Sequence, residues 1–514
     1  MDYPIGIQSF EIIRKNDYYY VDKTGLMWDL VRLSVPIFLS RPRRFGKSLL
    51  LSTIHSFFNG RKDLFDGLEV SKYEKEWKRY PVFHFDFNTV GSRDITDLTE
   101  NMDRQLATYE EDWGIIAKKS AKPQDRLITL IDKASGGEIQ KVVVLVDEYD
   151  KPLLNVIDNE PLQNEFRQIL KPFYGVLKTM NRNIRFAMLT GVARFGKLSI
   201  FSDLNNLRDI SINPEFNAIC GITENELYSV YSDSIKSLAK ARGESAEQTK
   251  QALKRAYDGY HFGKPKLCAD IYNPYSLNNA FADRSIGDYW FDSGTPTFLA
   301  KRMIKRGIEF SELNDTYASA SELVSGITDD DSFIGQLFQT GYLTIKGYSD
   351  ESEDYELCFP NREVERGFDD LTLRAYDSMT SSDFNLNKFK REVMSGKPEK
   401  FMTRLQSFTA DFPYDQVPNM EVHWQNIMYL VFKLLGFYTR TEYKTSDGRI
   451  DAIVKTPKYL YVFEFKMDES AKVALSQINS KEYPLPFQAD GRKIFKIGVE
   501  FTSKNRRIKD FVIE

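Results

Sequence analysis

The chain is organised around the stretch Ser40-Arg41-Pro42-Arg43-Arg44-Phe45-Gly46-Lys47-Ser48, which lies between two apolar patterns. The run Ile37-Phe38-Leu39 before it is β-prone. After it, apolar residues recur at helical spacing as far as the helix-stopping pair Asn59-Gly60, at Leu49, Leu50, Leu51, Ile54, Phe57 and Phe58. This order predicts a strand, a loop over residues 40–48 and a helix that the loop opens.

Three residues at the end of this loop have the chemistry of a phosphate loop. Gly46 lets backbone N–H groups approach a triphosphate, Lys47 can reach the β- and γ-phosphates, and the Ser48 hydroxyl can bind Mg²⁺. Arg41 stands where the full pattern has its first glycine, so the motif is degenerate at that position. By itself the motif leaves open a second interpretation, a basic turn that opens a surface helix.

The composition is that of an ordinary soluble protein, with 42% hydrophobic residues, 28% charged residues and a formal net charge of −4. At 514 residues, the chain exceeds what one core supports, so we expect about two to four domains. Three scattered cysteines argue against a disulfide framework, and no apolar run approaches the ~18 residues that span a bilayer. We therefore expect a cytoplasmic protein that does not insert into a membrane, and any nucleic-acid surface on it must be local.

A second signal is the run Lys141-Val142-Val143-Val144-Leu145-Val146, which ends in Asp147 and Glu148. Such a run is typical of a strand buried on both faces of a parallel sheet, where ligands bind beyond the carboxyl ends of the strands. We predict that Asp147 holds Mg²⁺ and that Glu148 polarises the water that attacks the γ-phosphate. A solvated turn is the alternative, and the presence of Gly46-Lys47-Ser48 elsewhere in the chain disfavours it.

The apolar run from Ile184 to Leu189 predicts a further strand, which Thr190 and Arg194 follow. Thr190 can sense the γ-phosphate, and Arg194 can neutralise charge there, in its own chain or in a neighbouring one. An ordinary strand end with a surface arginine explains Arg194 equally well. Strands that alternate with helical stretches over residues 35–215 predict a doubly wound α/β nucleotide-binding core.

These motifs, together with Val146-Asp147-Glu148-Tyr149-Asp150-Lys151-Pro152, Thr190-Gly191-Val192 and Asn205-Asn206-Leu207, resemble the bacterial AAA-ATPase-like family. That family is similar to the STAND and archaeal ATPase branch of P-loop NTPases, and an arginine-rich loop without a first glycine is usual in it. The resemblance implies a P-loop NTPase core with a parallel sheet and Glu148 as its catalytic group. It also implies that ATP and Mg²⁺ are bound by Arg44, Gly46, Lys47, Ser48, Asp147, Thr190 and Arg194.

The middle of the chain begins as a charged, helical stretch, as in an ATPase lid, with a capping box formed by Thr223 and Glu226. Residues 333–359 then predict a helix and a hairpin with an acidic turn, a winged-helix-like module. An acidic tip repels phosphate, which favours a joining role over DNA binding. We expect a P-loop domain over 1–221, a helical lid and winged-helix-like region over 222–378, and a last domain over 379–514 that begins with a linker.

Three ionisable residues converge on a predicted hairpin in the last domain. Asp451 lies on one strand, and Glu464 and Lys466 share one face of the next because they are two residues apart. Two carboxylates can hold Mg²⁺ or Mn²⁺ against a phosphodiester, and a lysine can orient the attacking water or stabilise developing charge. A solvated hairpin with a cross-strand ion pair is the alternative, which the apolar residues on both faces of Tyr459–Lys466 disfavour.

The segments Gly448-Arg449-Ile450-Asp451 and Glu464-Phe465-Lys466 resemble the PD-(D/E)XK nuclease superfamily, which implies a restriction-endonuclease-like α/β domain. On this resemblance, Asp451 and Glu464 bind the metal and Lys466 completes the catalytic set. Glu421 matches the acid of the first helix. Gln477 and Tyr483 match the glutamine and tyrosine that often follow the core, and we assign them to nucleic-acid binding.

Together these patterns predict an ATP-binding and ATP-hydrolysing protein that controls a C-terminal metal-dependent nuclease. The nuclease would hydrolyse phosphodiester bonds of nucleic acid, with DNA as the expected partner, and a homo-oligomer is compatible with the sequence. The alternative is a nucleotide-dependent switch or scaffold that binds nucleic acid or another partner without cleaving it. The degenerate phosphate loop and the acidic hairpin motivate this alternative, whereas the presence of two phosphate-chemistry motifs favours the nuclease.

Overall fold

A computed structural model describes the chain except for residues 92, 117–120, 138, 194–203, 205, 293–298, 300–301, 304–305, 307, 309–312, 314–315, 325–332, 378–385, 411–428, 430–432, 434–437, 446–447 and 503–506. The chain divides into two compact units. The first unit comprises Met1–Trp290 and Asp315–Val364, and the second comprises Phe291–Asn314 and Glu365–Glu514. The domain boundaries 1–221, 222–378 and 379–514 stay predictions.

The first unit is built on a parallel sheet in the order β2-β3-β4-β1-β5. Its strands are β1 (Ile37–Ser40), β2 (Val82–Asp86), β3 (Val142–Asp147), β4 (Ile184–Gly191) and β5 (Arg208–Asp209). Every residue of β3 is buried, as its unbroken apolar run predicts. The predicted α/β class with a parallel P-loop-type core is confirmed, and β1 and β3 lie on either side of β4, so their carboxyl ends share one edge of the sheet.

Helices cover both faces of this sheet. Apolar side chains of Ile95–Asp112, Pro123–Ser135 and Glu160–Thr179 pack into one core with the strands. The remaining helices before residue 215 are Phe10–Lys15, Thr24–Val31, Lys47–Phe58, Val70–Tyr73 and Lys151–Asn155, with single 3₁₀ turns at Lys62–Phe65 and Pro214–Phe216. The helix Lys47–Phe58 begins where the phosphate loop ends, which confirms the predicted order of strand, loop and helix.

The middle of the chain is mostly helical, as predicted. Its helices are Glu224–Val230, Ser232–Arg242, Ala246–Tyr257, Pro274–Asp283, Tyr289–Asp292, Ala320–Leu323, Phe333–Thr340 and Arg362–Asp377, with a 3₁₀ turn at Pro265–Leu267. Two short strands, β6 (Ile222–Thr223) and β7 (Ile271–Tyr272), pair antiparallel, and the predicted capping box of Thr223 and Glu226 is present. None of the helices described in the chain is long and apolar enough to cross a bilayer.

The predicted helix and hairpin of the middle region are both present. After Phe333–Thr340, the strands β9 (Thr344–Tyr348) and β10 (Asp354–Cys358) pair antiparallel. A third strand, β8 (Thr316–Ser319), adds to the other edge of β10, giving the order β8-β10-β9. The strand β8 was not predicted, because its four residues, Thr316-Tyr317-Ala318-Ser319, are too few to establish a period.

Asp258 is a buried carboxyl group in this region, with 2% of its surface exposed and Lys254 Nζ at 3.8 Å. Burial, helped by the charge of Asp270, raises the pKa of Asp258 from 3.8 to about 7. The folded chain therefore keeps a proton that the unfolded chain loses, so this group destabilises the fold increasingly as the pH rises from about 4 to about 7.

The substitution Asp258→Asn should raise the thermal unfolding midpoint at pH 8 by a few degrees, because an amide needs no proton to remain buried. The gain should shrink as the pH falls through 7 and vanish near pH 4. Thermal unfolding of wild type and variant, followed by circular dichroism from pH 4 to pH 8, measures this. A gain that is equal at every pH, or absent at pH 8, would contradict this account of Asp258.

The second unit contains a five-stranded sheet in the order β11-β12-β13-β14-β15. The strands are β11 (Tyr438–Thr445), β12 (Gly448–Lys455), β13 (Tyr459–Met467), β14 (Lys493–Thr502) and β15 (Arg507–Ile513). Only β13 and β14 are parallel, and the helix Ala471–Ser480 connects them. A 3₁₀ turn, Leu485–Asp490, follows that helix. This mixed sheet confirms the predicted α/β class of the C-terminal domain.

The two faces of β13 pack against different helices. Leu460 and Val462 lie in one core with Ile478 of the helix Ala471–Ser480. Tyr461, on the opposite face, donates a hydrogen bond from its hydroxyl to the carbonyl of Val393 at 2.6 Å. Since side chains alternate along a strand, Glu464 shares the face of Leu460 and Val462.

Two helices occupy part of the stretch that the sequence analysis interpreted as a charged connection into the last domain. They are Leu386–Met394 and Pro398–Ala410, and the buried Phe401 packs edge-on against Tyr461. The described residues of this stretch are therefore helical, and the linker at the start of the last domain stays a prediction. The apolar positions of each helix are only four to six in number and are separated by polar and charged residues, which obscured the helical period.

Candidate functional site

The phosphate loop lies between β1 and the helix Lys47–Phe58. Gly46 precedes the helix with a φ of 96°, in the left-handed region that glycine adopts without strain. A side chain at Gly46 would meet no atom within 4 Å, so the backbone angle, and not the available space, favours glycine there. Ser48 lies in the first turn of the helix, where free N–H groups and the helix dipole favour an anion.

Lys47 is almost fully buried at this loop, with 4% of its surface exposed. Its ammonium donates to the carbonyls of Arg41, at 3.1 Å, and Pro42, at 3.3 Å. Glu148 Oε1 lies 3.6 Å from the same nitrogen. The structure thus brings together the lysine of the first motif and the second acid of the β3 motif, two residues that are far apart in sequence.

Asp147 and Thr190 meet at the neighbouring ends of β3 and β4. The Thr190 hydroxyl donates a 2.6 Å hydrogen bond to Asp147 Oδ1, and both side chains are buried. The same carboxylate oxygen accepts the backbone N–H of Glu148 at 3.1 Å. The Thr190 hydroxyl is thus placed to orient the Asp147 carboxylate, and the sensing of the γ-phosphate by Thr190 stays a prediction. Arg194, the other residue predicted at this strand end, lies outside the described residues.

Glu148 adopts a backbone conformation that is unusual for its residue type, with a φ of 51°. Its side chain is 19% exposed and approaches Lys47. Residues held in such sparsely populated conformations concentrate at functional sites, because the surrounding structure must stabilise them. The conformation supports a functional interpretation of Glu148 over a solvated turn.

Arg41 is a structural residue of the loop, and the sequence analysis did not find this role. It is 1% exposed, and its guanidinium donates to the carbonyls of Ser40, Ser211 and Phe216 at 2.9, 2.7 and 3.1 Å. The same group lies 4.0 Å from the centre of the Phe262 ring. Burial lowers the pKa of Arg41 to about 10, which leaves it charged near neutral pH. The Arg41 side chain, at the position of the missing glycine, thus fixes the start of the loop through these hydrogen bonds.

Arg44 differs from Arg41 because its side chain is exposed. It has a φ of 67°, and its guanidinium lies 4.9 Å from the centre of the Tyr275 ring. An exposed cation at a phosphate loop is available to a nucleotide, as the sequence analysis expects of Arg44. Its assignment as a nucleotide contact stays a prediction.

Asp150 is a buried acid next to this site that sequence reasoning quoted but gave no role. It is fully buried, and its Oδ2 accepts the backbone N–H groups of Val192 at 2.9 Å and Ala193 at 2.7 Å. Burial, with the charge of Glu148 adding to it, raises the pKa of Asp150 to about 7. Gly191 is required beside it, since a side chain there would lie 2.6 Å from Asp150 Oδ1. Asp150 thus fixes the chain that leaves β4.

A largely apolar pocket of about 630 Å³, counting space open to solvent, adjoins Gly46. Its lining comes from the N-terminal segment, the helix after the phosphate loop and residues near β6, among them Tyr19, Lys23, Leu49, Cys220, Ile222 and Asn278. Lys23 is held by Glu226, with both carboxylate oxygens 2.7 Å from Nζ. A concave apolar pocket with a few polar groups, next to a phosphate loop, has the character of a nucleobase site.

The second candidate site lies on the sheet of the second unit. Glu464 is 2% exposed and accepts hydrogen bonds at Oε1 from Lys466 Nζ, at 2.9 Å, and from Gln477 Nε2. The register that pairs Ala452 with Phe463 places Asp451 opposite Glu464. Asp451 Oδ2 accepts the backbone N–H of Phe465 at 2.7 Å. The structure thus brings Asp451, Glu464 and Lys466 together on one face, as predicted.

Gln477 contacts Glu464 directly, and Tyr483 contacts Gln477. Gln477 Nε2 also lies 3.3 Å from the Tyr483 hydroxyl oxygen, and the Tyr483 side chain is buried in the core with Ile478. Their contacts within the protein hold the Glu464 carboxylate in place. Nucleic-acid binding by these two residues stays a prediction, and Glu421 lies outside the described residues.

Lys466 keeps its positive charge at this site. Its partial burial acts to lower its pKa, but the hydrogen bond to Glu464 and the charges of Glu464 and Asp451 outweigh this and raise the pKa. A lysine that stays protonated can stabilise negative charge or orient a water by donation, whereas it cannot accept a proton.

The donor sets at both sites fit a magnesium ion. Among the described residues, no group of three or more His, Cys, Asp or Glu side chains is arranged to hold a metal. Mg²⁺ does not need such a group, because it keeps several waters and binds through one or two carboxylates and substrate phosphates. Asp451 and Glu464 supply two carboxylates at the second site, and Asp147 with the Ser48 hydroxyl supplies oxygen ligands at the first.

Two solved structures resemble the fold only weakly. They are the ORC2 protein of Aeropyrum pernix, with ADPNP and ADP, and CDC6P from Pyrobaculum aerophilum. The first shows 13% identity and a TM-score of 0.24, covering 71% of this chain and 93% of the other. The second shows 10% identity and a TM-score of 0.21, covering 68% and 92%. Likenesses this weak carry no argument about the present chain.

Sequence comparisons are more informative. Residues 4–201 match the family model described as predicted AAA-ATPase, and residues 419–511 match a model of the PD-(D/E)XK nuclease superfamily. An uncharacterized protein in the vnfD 5'region of Azotobacter chroococcum mcd 1 is 35% identical to this chain over an alignment of 522 residues. The alignment covers 99% of this chain and 98% of that protein. The chain belongs to one family with this Azotobacter protein, and it joins a predicted AAA-ATPase domain to a C-terminal domain of the PD-(D/E)XK nuclease superfamily.

Proposed function

We propose that the chain binds and hydrolyses ATP in its AAA-ATPase domain and thereby controls a metal-dependent nuclease in its C-terminal domain. The observation that carries the proposal is the Glu464 carboxylate, which is 2% exposed and bonded to Lys466 and Gln477. A carboxylate on a merely solvated hairpin would be exposed. Burying a carboxylate is costly, so one that is kept beside a lysine and a second acid favours a functional site.

At the first site, the triphosphate would lie on the N terminus of the helix Lys47–Phe58, with the base in the adjoining apolar pocket. Lys47 would exchange the loop carbonyls that it now contacts for β- and γ-phosphate oxygens. Asp147, oriented by Thr190, and Ser48 would hold Mg²⁺, which supplies neutralisation of phosphate charge. Glu148 would orient the attacking water.

At the second site, Asp451 and Glu464 would hold Mg²⁺ or Mn²⁺, which lowers the pKa of a bound water and polarises the phosphodiester. Lys466 is charged and 2.9 Å from Glu464, so it can donate to the attacking water or to the developing phosphate charge. Gln477 would keep the Glu464 carboxylate in one orientation. The expected substrate is DNA, bound where Asp451, Glu464 and Lys466 meet.

This proposal is tested with the purified full-length chain, labelled single- and double-stranded DNA and RNA, and Mg²⁺ or Mn²⁺, with and without ATP. Cleavage of DNA that requires the divalent ion is the expected result. Binding of nucleic acid that changes between ATP and ADP, with no cleavage under any of these conditions, would reject the nuclease and favour the nucleotide-dependent switch.

A finer prediction concerns Thr190. Removing its hydroxyl in Thr190→Val should slow ATP hydrolysis about tenfold, since an outer partner of a metal-binding carboxylate is lost, and should leave the dissociation constant of ATP within about twofold. Thr190→Ser keeps the hydroxyl and should hydrolyse ATP at close to the wild-type rate. Steady-state hydrolysis and equilibrium ATP binding separate the two effects. A serine variant as slow as the valine variant would refute the role of the hydroxyl.

A further inference from the structure

Three consecutive residues of the phosphate loop are held from outside by distant parts of the chain. The indole Nε1 of Trp290 donates to the carbonyl of Arg43 at 3.0 Å. Gly341 packs so closely on Pro42 that a side chain at Gly341 would approach the proline ring to 2.6 Å. The third residue, Arg44, stacks on Tyr275. Tyr275 and Trp290 are more than 200 positions from the loop in sequence, and the fold brings both to it.

Glu363 joins the segments that carry these contacts. It is 1% exposed, and its two carboxylate oxygens accept the backbone N–H of Trp290 at 2.6 Å and the hydroxyl of Ser276 at 2.7 Å. Trp290 also packs edge-on against Tyr342, with ring centres 5.6 Å apart. Hydrogen-bond donors stabilise a buried carboxylate, so we expect Glu363 to move with Trp290 and Ser276.

Glu363 is the second residue of the helix Arg362–Asp377, whose residues from Glu365 onward belong to the second unit. The contacts therefore form a continuous series from the Arg43 carbonyl through Trp290 to the first turn of this helix. Binding of phosphates can shift the helix only if the loop makes different contacts with and without nucleotide. The Arg43 carbonyl is the loop atom that accepts the hydrogen bond from Trp290, so a movement of this carbonyl would be passed on to Trp290.

We propose that Trp290 and Glu363 are positioning residues that couple nucleotide binding at the phosphate loop to the helix Arg362–Asp377. This inference rests on the proposed binding of ATP and adds the route by which that binding is communicated. Trp290 also fixes the position of the Arg43 carbonyl in the loop. Loss of its N–H should therefore weaken ATP binding about five- to tenfold, the effect of one well-formed hydrogen bond.

The test uses full-length wild type, Trp290→Phe and Ser276→Ala. Trp290→Phe keeps an aromatic ring next to Tyr342 but removes the Nε1–H donor to Arg43, together with part of the indole ring. Trp113→Phe is the matched control, because Trp113 is a partly buried tryptophan packed on the core of the parallel sheet. ATP binding is measured by titration, and hydrogen exchange of amides 362–377 is measured without ATP and with ATP saturating for each variant.

In wild type and Trp113→Phe, saturating ATP should slow exchange over residues 362–377. In Trp290→Phe that response should be lost even when ATP is saturating, and in Ser276→Ala it should be reduced while the ATP dissociation constant stays close to that of wild type. A purely structural role for Trp290 would weaken binding and leave the response at saturation intact.

Three outcomes overturn the inference. The first is wild type that binds ATP without any change over residues 362–377, and the second is a Trp290→Phe response equal to that of wild type at saturation. The third is wild type that does not bind ATP, which removes the proposed function as well and is thereby distinguishable from the other two. If Trp290→Phe does not fold, the test rests on Ser276→Ala. Slowing of exchange over residues 362–377 by ATP that is as large in Ser276→Ala as in wild type would contradict the route through Glu363.

Discussion

Replacing Glu464 by glutamine should reduce nucleic-acid cleavage by at least about 10³-fold. The amide has nearly the same size as the carboxylate but brings no negative charge to a divalent ion, whose contribution to such reactions is several kcal/mol. It also leaves Lys466, 2.9 Å away, without the carboxylate that raises its pKa. The measurement is the initial rate of cleavage of labelled DNA in Mg²⁺ and in Mn²⁺.

The matched control is Glu399→Gln, which makes the same chemical change at an exposed glutamate of the helix Pro398–Ala410. Its cleavage rate should equal that of wild type. Thermal unfolding of Glu464→Gln should show that the variant is folded, because glutamine can still accept a hydrogen bond from Lys466 or Gln477. Cleavage by Glu464→Gln at the wild-type rate would show that this carboxylate is not part of the catalytic site.

The second large effect is expected from Lys47→Ala, which should weaken ATP binding by at least about 100-fold. Each charge-assisted hydrogen bond from an ammonium to phosphate contributes about 1.5–3 kcal/mol, and Lys47 is placed to make more than one. Glu148 Oε1, 3.6 Å from this nitrogen, would also remain beside the phosphates without its cation. Equilibrium binding of ATP and ADP, measured by titration calorimetry, gives the effect directly.

Lys72→Ala is the control for this prediction. Lys72 is an exposed lysine on the short helix Val70–Tyr73, so its loss should leave ATP binding unchanged. A normal thermal midpoint for Lys47→Ala without nucleotide would show that the loss of binding is local. If Lys47→Ala bound ATP as tightly as wild type does, the loop would be a basic surface turn and the nucleotide site would lie elsewhere.

Much of the candidate nucleotide site could be predicted from the sequence because its parts follow local rules. An unbroken apolar run such as Val142–Val146 forms a buried parallel strand, and the residues just after it must lie at the edge of the sheet. The pairing of Lys47 with Glu148 follows from that topology. A local rule also places Glu464 and Lys466 on one face of β13, because side chains two residues apart along a strand point to the same side.

The contacts that could not be predicted join residues whose separation in sequence carries no period. Arg41 looked like a defect in a glycine pattern, but its role depends on carbonyls of Ser211 and Phe216, about 170 positions later. The contact of Trp290 with Arg43 spans 247 positions. The hydrogen bond from the Thr190 hydroxyl to Asp147 depends on the register between β3 and β4, and the γ-phosphate contact that the strand end suggested for Thr190 stays a prediction.

The measurement that tests the central claim most directly is DNA cleavage by wild type, Lys47→Ala and Glu464→Gln, each in Mg²⁺ with ATP, with ADP and without nucleotide. If the ATPase domain controls a nuclease, wild-type cleavage should depend on the nucleotide, Lys47→Ala should cleave at one rate in all three conditions, and Glu464→Gln should not cleave. Cleavage by wild type that is the same in all three conditions, or that survives in Glu464→Gln, would contradict the claim.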